Sequence, residues 1–373
     1  MSEHTEHVTT VKCLVWDLDN TLWKGTLLED GEVTLADDIR AVVAELDSRG
    51  ILQAVASKND HEPTWARLEE LGIAEYFVLA EIGWGPKSES VRSIAERLNF
   101  AHRTIAFIDD QPAERAEVAF HLPEVRCYPA EQAATLTELP EFTPATRTVD
   151  SGKRRAMYQA NFRRDAERKE FTGPDEEFLR SLKLELDVFR ATEVELSRVE
   201  ELTLRTSQMN ATGVHYSDET LRGLLGDDDH EVLVATLADR FGTHGAIGVL
   251  LLENRGPAWH LKLLATSCRV VSFGVGTVLL NWLATEAAEA GAHLLADFRR
   301  TDRNRMMEIA YRFAGFDEGD CDCRSAVPDT DVDGLQRLHL LPQRHEPPTT
   351  MHVRTPGLGR RWPRAGAGVG GTP

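Results

Sequence analysis

The chain has 373 residues, 42% of them hydrophobic, which is ample for two or three packed domains. Its net charge of −19 repels phosphodiester backbones and anionic bilayers, so neither a nucleic-acid nor a membrane role is expected. No basic-plus-apolar leader is read at the start, the longest uncharged run (270–285) is too short and polar-spotted for a membrane span, and five scattered cysteines form no disulfide framework; a cytoplasmic protein is expected.

In chain order, short apolar runs at 11–16, 52–56 and 104–108 predict buried strands, each ending at polar residues. Between them, 37–49, 61–71 and 87–98 predict helices, with Ile39, Val42, Val43 and Leu46 at helical spacing and Gly50 and Gly72 as stops. This alternation predicts an α/β domain, a doubly wound parallel sheet covered on both faces, over 1–146. A charged helical linker follows over 147–184, two helices broken at Gly173-Pro174. Over 185–324 a second α/β domain is predicted, with strands near 186–189, 231–237, 247–252 and 261–265 and helices at 279–290 and 303–314. Residues 342–373 hold six of the 16 prolines, and 325–373 is read as a disordered tail.

The sharpest chemical signal is Trp16-Asp17-Leu18-Asp19-Asn20-Thr21-Leu22, directly after the first strand. Two carboxylates leaving a parallel strand sit at the sheet edge where such folds place their chemistry. One can attack phosphorus while the other shuttles the leaving group's proton. Facing an anionic substrate they need a divalent cation and a fixed positive charge. Ser57 ends the second strand, Lys87 starts a helix after Gly85-Pro86, and Asp109-Asp110 ends a further strand with a hard-oxygen pair suited to Mg²⁺. A lone Asp-x-Asp is more often a solvated turn; four such features in order are not. Together they resemble the haloacid-dehalogenase-like phosphatases and phosphotransferases. That resemblance implies Asp17 as nucleophile, Asp19 as general acid/base, and Ser57 and Lys87 as phosphate holders. It also implies Mg²⁺ on Asp17, Asp109 and Asp110, with Asp19 contributing its backbone carbonyl. The intervals Asp17 to Ser57 and Ser57 to Lys87 leave no room for an inserted cap domain, which suits a large or carrier-borne substrate.

In the second half, Asp239-Arg240-Phe241-Gly242, Ser267-Cys268-Arg269-Val270, Gly274-x-Gly276 and the closing Tyr311-x-x-x-Gly315-Phe316 resemble the acyl-CoA N-acetyltransferase fold. Val271 stands where that family starts its basic glycine turn, so ordinary acetyl-CoA binding is not expected. Cys268, beside Arg269 and before a helix start, is read as a candidate nucleophile against the commoner fate of a buried small hydrophobe. His244 is the leading candidate base, ahead of His215 and His260, for which packing or surface roles are expected. Cys13 and Cys127 are read as structural. Cys321-x-Cys323 lacks a second ligand pair nearby in the chain, which argues against zinc.

The two halves together resemble the FkbH-like proteins of polyketide pathways. The likeness rests on the Trp16–Trp23 motif, Trp84-x-x-Lys87, Phe107-Ile108-Asp109-Asp110-Gln111-Pro112, Arg205-Thr206-Ser207-Gln208-x-Asn210, and the Asp239 and Cys268 motifs. It implies loading of a glyceryl unit from 1,3-bisphosphoglycerate onto an acyl carrier protein, with Mg²⁺ as cofactor, for methoxymalonyl-type extender units in polyketide (antibiotic) biosynthesis. The runner-up is a plain Mg²⁺-dependent phosphatase whose second domain docks the carrier. A catalytically silent interaction module is the third reading. Lys153, Arg154, Arg155, Arg163 and Arg164 form the densest basic cluster and the candidate docking patch for an acidic carrier.

Overall fold

The computed structural model describes residues 9–144, 151–205, 209–328, 334–359 and 362, and divides into two compact units, Met1–Phe162 and Arg163–Pro373.

In the first unit, β1 (Cys13–Trp16), β2 (Leu52–Ser57), β3 (Phe77–Ile82), β4 (Ile105–Asp109) and β5 (Arg126–Pro129) form a wholly parallel sheet in the order β3-β2-β1-β4-β5. Side chains alternate across a strand, so each central strand feeds two cores. Leu14, Trp16, Val55 and Ile108 face one, with Val42, Val43 and Leu46 of the helix Asp37–Ser48 and Leu68 of the helix His61–Glu70. Cys13, Val15, Ala54, Ala56 and Phe107 face the other, with Val91, Ile94 and Leu98 of the helix Lys87–Leu98 and Val118 of the helix Pro112–His121. The sheet is therefore doubly wound. All its strands run the same way, so Asp17, Ser57 and Asp109 emerge at one edge. Between β1 and β2 lie only the helices Leu27–Asp30 and Asp37–Ser48, and between β2 and β3 the helix His61–Glu70 and one short turn, so no domain is inserted in either interval.

The second unit is an α/β domain on a mixed sheet. Its strands are β6 (Leu184–Arg190), β7 (His230–Asp239), β8 (Gly242–Asn254), β9 (Ala258–Thr266), β10 (His293–Arg299), β11 (Leu335–Leu340) and β12 (Met351–Arg354), ordered β11-β10-β9-β8-β7-β6-β12. β6 through β9 are antiparallel; β9–β10 and β6–β12 are parallel. The helices Asp175–Leu182, Val275–Ala290 and Arg305–Phe313 pack on one face, and Leu196–Arg205 and Asp218–Leu225 on the other.

The division between the units falls inside the helix Arg154–Glu170, where the charged linker 147–184 was expected; residues 145–150 lie outside the described residues. The reading of 325–373 as a disordered tail does not hold for 334–359. There β11 and β12 pair into the sheet, and Leu338, Met351, Leu358 and, beyond them, Trp362 join the second unit's core. Trp362 packs edge-on against Trp259 at 5.4 Å. Apolar residues spaced among the prolines anchor this segment, and the composition average hides them. Residues 363–373 lie outside the described residues.

Candidate active site

At the end of β1 the Asp17 N–H donates to the Ile108 carbonyl (2.9 Å), carrying the parallel ladder one residue past the strand. This fixes Asp17 between the ends of β2 and β4. Lys87, the first residue of its helix, is buried and spends all three ammonium donors here. It donates to Asp17 Oδ1, to the Ala56 carbonyl at 2.7 Å and to Asp109 Oδ2 at 3.2 Å. One cation thus braces two buried carboxylates. Burial pushes the Asp17 carboxyl up to about 6, with the Lys87 charge pulling down and the Asp109 charge adding to the rise. Burial first, and Asp109 second, also raise Asp110.

Asp19 is held differently. Its carboxylate accepts from Trp23 Nε1 (2.8 Å), the Leu27 N–H (3.0 Å) and Asn59 Nδ2 (2.9 Å). Asn59 also donates to Ser57 Oγ (3.2 Å), which ties the hydroxyl at the end of β2 to the acid/base candidate. Asn20 sits between the two motif aspartates' flank and Thr21 in a left-handed conformation (φ +53°), one that Asn tolerates better than most residues. Thr21 Oγ1 donates to Asp17 Oδ2 (3.4 Å) and accepts from the Asp110 N–H (2.9 Å), so it spans the site. Sequence reasoning gave Thr21, Trp23 and Asn59 no role. Their signal was proximity in sequence: each lies within four residues of an assigned site residue.

Carboxylate oxygens of Asp17, Asp109 and Asp110 lie within 4.8 Å of one another. Three carboxylates against one ammonium leave a net negative pocket, and among the described residues Asp110 Oδ1 is buried without a hydrogen-bond partner. Such a hard-oxygen set fits Mg²⁺. Asp19 was expected to offer the metal its backbone carbonyl, and its carboxylate, held by three donors, is not part of this side-chain cluster.

In the second unit Cys268 is exposed, just past the end of β9, and opens the short 3-10 turn Cys268–Phe273. The turn ends at Gly274, whose φ of +72° favours glycine, and the helix Val275–Ala290 follows. Ser267 Oγ accepts from the Arg269 N–H (3.4 Å) and from Arg269 Nε (3.3 Å), so the guanidinium folds back over the turn. The Cys268 thiol has no hydrogen-bond partner among the described residues, His244 included. His244 is buried, edge-on to Phe273 at 5.4 Å, with Nε2 at 3.2 Å from Asp239 Oδ2. Burial holds its imidazole below the usual range, against the opposing pull of Asp239. Burial works to raise Asp239 itself, but hydrogen bonds from His244 and Arg164 outweigh it and hold the carboxyl far below its ordinary value. Arg164 Nε donates to Asp239 Oδ2 at 2.6 Å, and Asp239 Oδ1 accepts from the Phe241 and Gly242 N–H groups.

The basic cluster proposed as a docking patch is largely consumed by its own fold. Arg154 donates to the Gly50 carbonyl, Arg155 to Asp47 and to the Glu75 carbonyl, and Arg164 to Asp239. The motif 205–208 is not described at the level of side chains.

With this geometry in place, a family model of haloacid dehalogenase-like hydrolases matches residues 25–119. That stretch lies within the first unit, which is similar to haloacid dehalogenase-like hydrolases. No curated protein sequence matches the chain. Among solved structures, it is similar to the N-terminal, phosphatase-domain part of the protein BF1531 from Bacteroides fragilis, complexed with Mg (28% identity, 36% of this chain, 40% of that one, TM-score 0.33). This chain therefore covers less than half of that one. It is also similar to the ribosomal-protein-S18-alanine N-acetyltransferase of Escherichia coli (18%, 44% of this chain, 97% of that one, TM-score 0.31). A haloacid-dehalogenase-superfamily hydrolase from Geobacter sulfurreducens is a third (11%, 34% and 100%, TM-score 0.28).

Proposed function

We propose that this protein is a Mg²⁺-dependent phosphatase and glyceryltransferase that converts 1,3-bisphosphoglycerate to a glyceryl thioester and loads it onto an acyl carrier protein for polyketide extender-unit synthesis. The observation that carries the reading is a pair of unlike nucleophiles, each just past a strand end in its own unit. Asp17 is buried and braced by Lys87, whereas Cys268 is exposed. A carboxylate beside a cation is suited to phosphorus, and an accessible thiol to an acyl carbon.

The Cys268 sulfur attacks the acyl-phosphate carbonyl carbon, the C–O bond to phosphate breaks, and inorganic phosphate leaves with that electron pair and takes up the thiol proton. Asp17 attacks the remaining phosphoryl group, and the P–O bond to the glyceryl oxygen breaks. Asp19, oriented by Trp23 and Asn59, delivers a proton to that oxygen. Water then hydrolyses the aspartyl-phosphate, with Asp19 taking the proton back. Lys87 offsets the charge between Asp17 and Asp109 throughout. Mg²⁺ held by Asp17, Asp109 and Asp110 would supply neutralisation of the phosphoryl oxygens. Transfer of the acyl group to the carrier's phosphopantetheine thiol completes the sequence.

The bare surroundings of Cys268 favour one rival: a phosphatase whose second unit only docks the carrier. Intact-mass spectra after brief exposure to the acyl phosphate separate the two. The proposal expects an adduct on wild type and none on Cys268→Ala, while Cys268→Ala keeps its activity on a small phosphate monoester. An adduct of equal yield on Cys268→Ala, or none on wild type, overturns the transferase reading.

A further inference from the structure

Four side chains with no part in either site converge at the β10–β11 edge of the second sheet: His293, Cys321, Cys323 and His339. The sheet register explains the histidines. β10 and β11 are antiparallel, with Leu295 directly opposite His339, so His293 lies diagonally across from His339 on the same face. His293 Nδ1 and His339 Nε2 are 3.1 Å apart. The segment after the helix Arg305–Phe313 then folds over this face, held by the backbone pair Asp317–His339, and delivers Cys321 and Cys323 on a short 3-10 turn. Cys321 Sγ is 3.3 Å from His293 Nδ1, and the four donor atoms all lie within 4.8 Å of one another.

We propose that these residues form a structural zinc site. Four donors placed about 2.0–2.3 Å from a tetrahedral zinc lie roughly 3.3–3.8 Å from one another. The separations on this edge bracket that range, and shifts of about an ångström at flexible side chains close it. Two thiols with two imidazoles form the borderline-soft set that selects zinc over Mg²⁺ or Ca²⁺. The absence of a second ligand pair close by in the chain had argued against zinc; the pair arrives through strand pairing instead.

The site also supplies what packing does not. Among the described residues, the apolar cluster beneath the Cys321–Val327 segment is small, consisting of Ala258, Leu295, Cys323 and Val327 with Cys321 against it. So little apolar area secures a segment weakly, and a metal bonded to both strands and the turn fastens it. On binding, each thiol releases its proton to solvent, and the two thiolates balance the charge of the ion.

The test is made on the full chain without a histidine tag, purified under reducing conditions with no added metal. Elemental analysis is expected to find one zinc per chain in wild type and in Asp17→Asn, and its loss in Cys321→Ser/Cys323→Ser. Replacement by Co²⁺ in wild type is expected to give the intense ligand-field bands of a tetrahedral site together with a thiolate-to-cobalt charge-transfer band. The cobalt spectrum needs no variant to fold, and a carboxylate site cannot produce the thiolate band. Equal zinc in wild type and the double variant, a cobalt spectrum without thiolate charge transfer, or a Cys321–Cys323 disulfide in the reduced preparation overturns the proposal.

Discussion

Asp17 and Cys268 both sit just past the end of a strand, yet their surroundings are opposite. Asp17 is buried beside a fully engaged lysine, with Asp109 and Asp110 close by. Cys268 is exposed, and the polar capital of its neighbourhood is invested elsewhere, in the buried Asp239 that collects His244, Arg164 and two backbone N–H groups. One proposed nucleophile is surrounded by fixed charges before substrate arrives. The other relies on access. The first should be sensitive to any change of charge around it, and the second largely indifferent to His244.

The largest effect is expected at Asp17. Asp17→Asn keeps the shape and removes the nucleophile, and phosphate-monoester release should fall by ~10³-fold or more. A thioester at Cys268 should still form from an acyl phosphate, heavier than the wild-type adduct by one phosphoryl group. A dephosphorylated adduct on this variant would show that the two nucleophiles do not divide the work in this way.

Lys87→Met should come next. It leaves Asp17 and Asp109 buried side by side with no cation between them, and breaking such a pair typically costs about 3–5 kcal/mol. Urea unfolding should show that loss without metal and a clear recovery with Mg²⁺. An equal loss with and without Mg²⁺ would mean that the carboxylates and the metal do not share the pocket.

The matching experiment in the second unit is Asp239→Asn, which withdraws the charge facing a buried Arg164 and should destabilise the unit by roughly 3 kcal/mol. Alkylation of Cys268 by iodoacetamide, measured on the folded variant, should proceed within about twofold of wild type, because no hydrogen bond among the described residues joins His244 or Asp239 to the thiol. A tenfold slower reaction would make the His244–Asp239 pair the base for Cys268 and erase the contrast between the sites.

The same contrast governs how much could be read from sequence. The first site was legible because each member ends a strand or starts a helix, and parallel strands carry such positions to one edge: Asp17, Ser57, Lys87 and Asp109 follow directly. What escaped were the residues that orient them. Asn59 and Trp23 hold the Asp19 carboxylate through side-chain geometry that spacing does not encode. In the second unit, β6 to β9 were foreseen from their apolar runs, but β11 and β12 were not, because prolines between them resemble a tail in composition. The convergence of His293 and His339 on Cys321 and Cys323 depends on the register of those strands, and no local pattern announces it. The basic cluster near 153–164 misled in the opposite direction: its density suggested a free face, whereas three of its arginines serve as internal fasteners.

The smallest expected effect separates structural from catalytic charge. Glu253, on β8, is buried among His260, His230, Arg255 and Lys262 and belongs to neither site. Burial works to raise its carboxyl, but the His260 hydrogen bond and the charges of Lys262 and Arg255 outweigh it and bring the value down to about 2. A carboxyl depressed on folding binds its proton more readily when unfolded. Its stabilisation is therefore complete above the ordinary value of 4.5 and drains away as the pH falls toward 2. Glu253→Gln should cost on the order of 2 kcal/mol at neutral pH, and the gap to wild type should narrow steadily toward about pH 3. Phosphate release by the first unit should not change, since Glu253 lies in the other unit. A stability gap that stays constant with pH would mean that Glu253 contributes by packing rather than by charge.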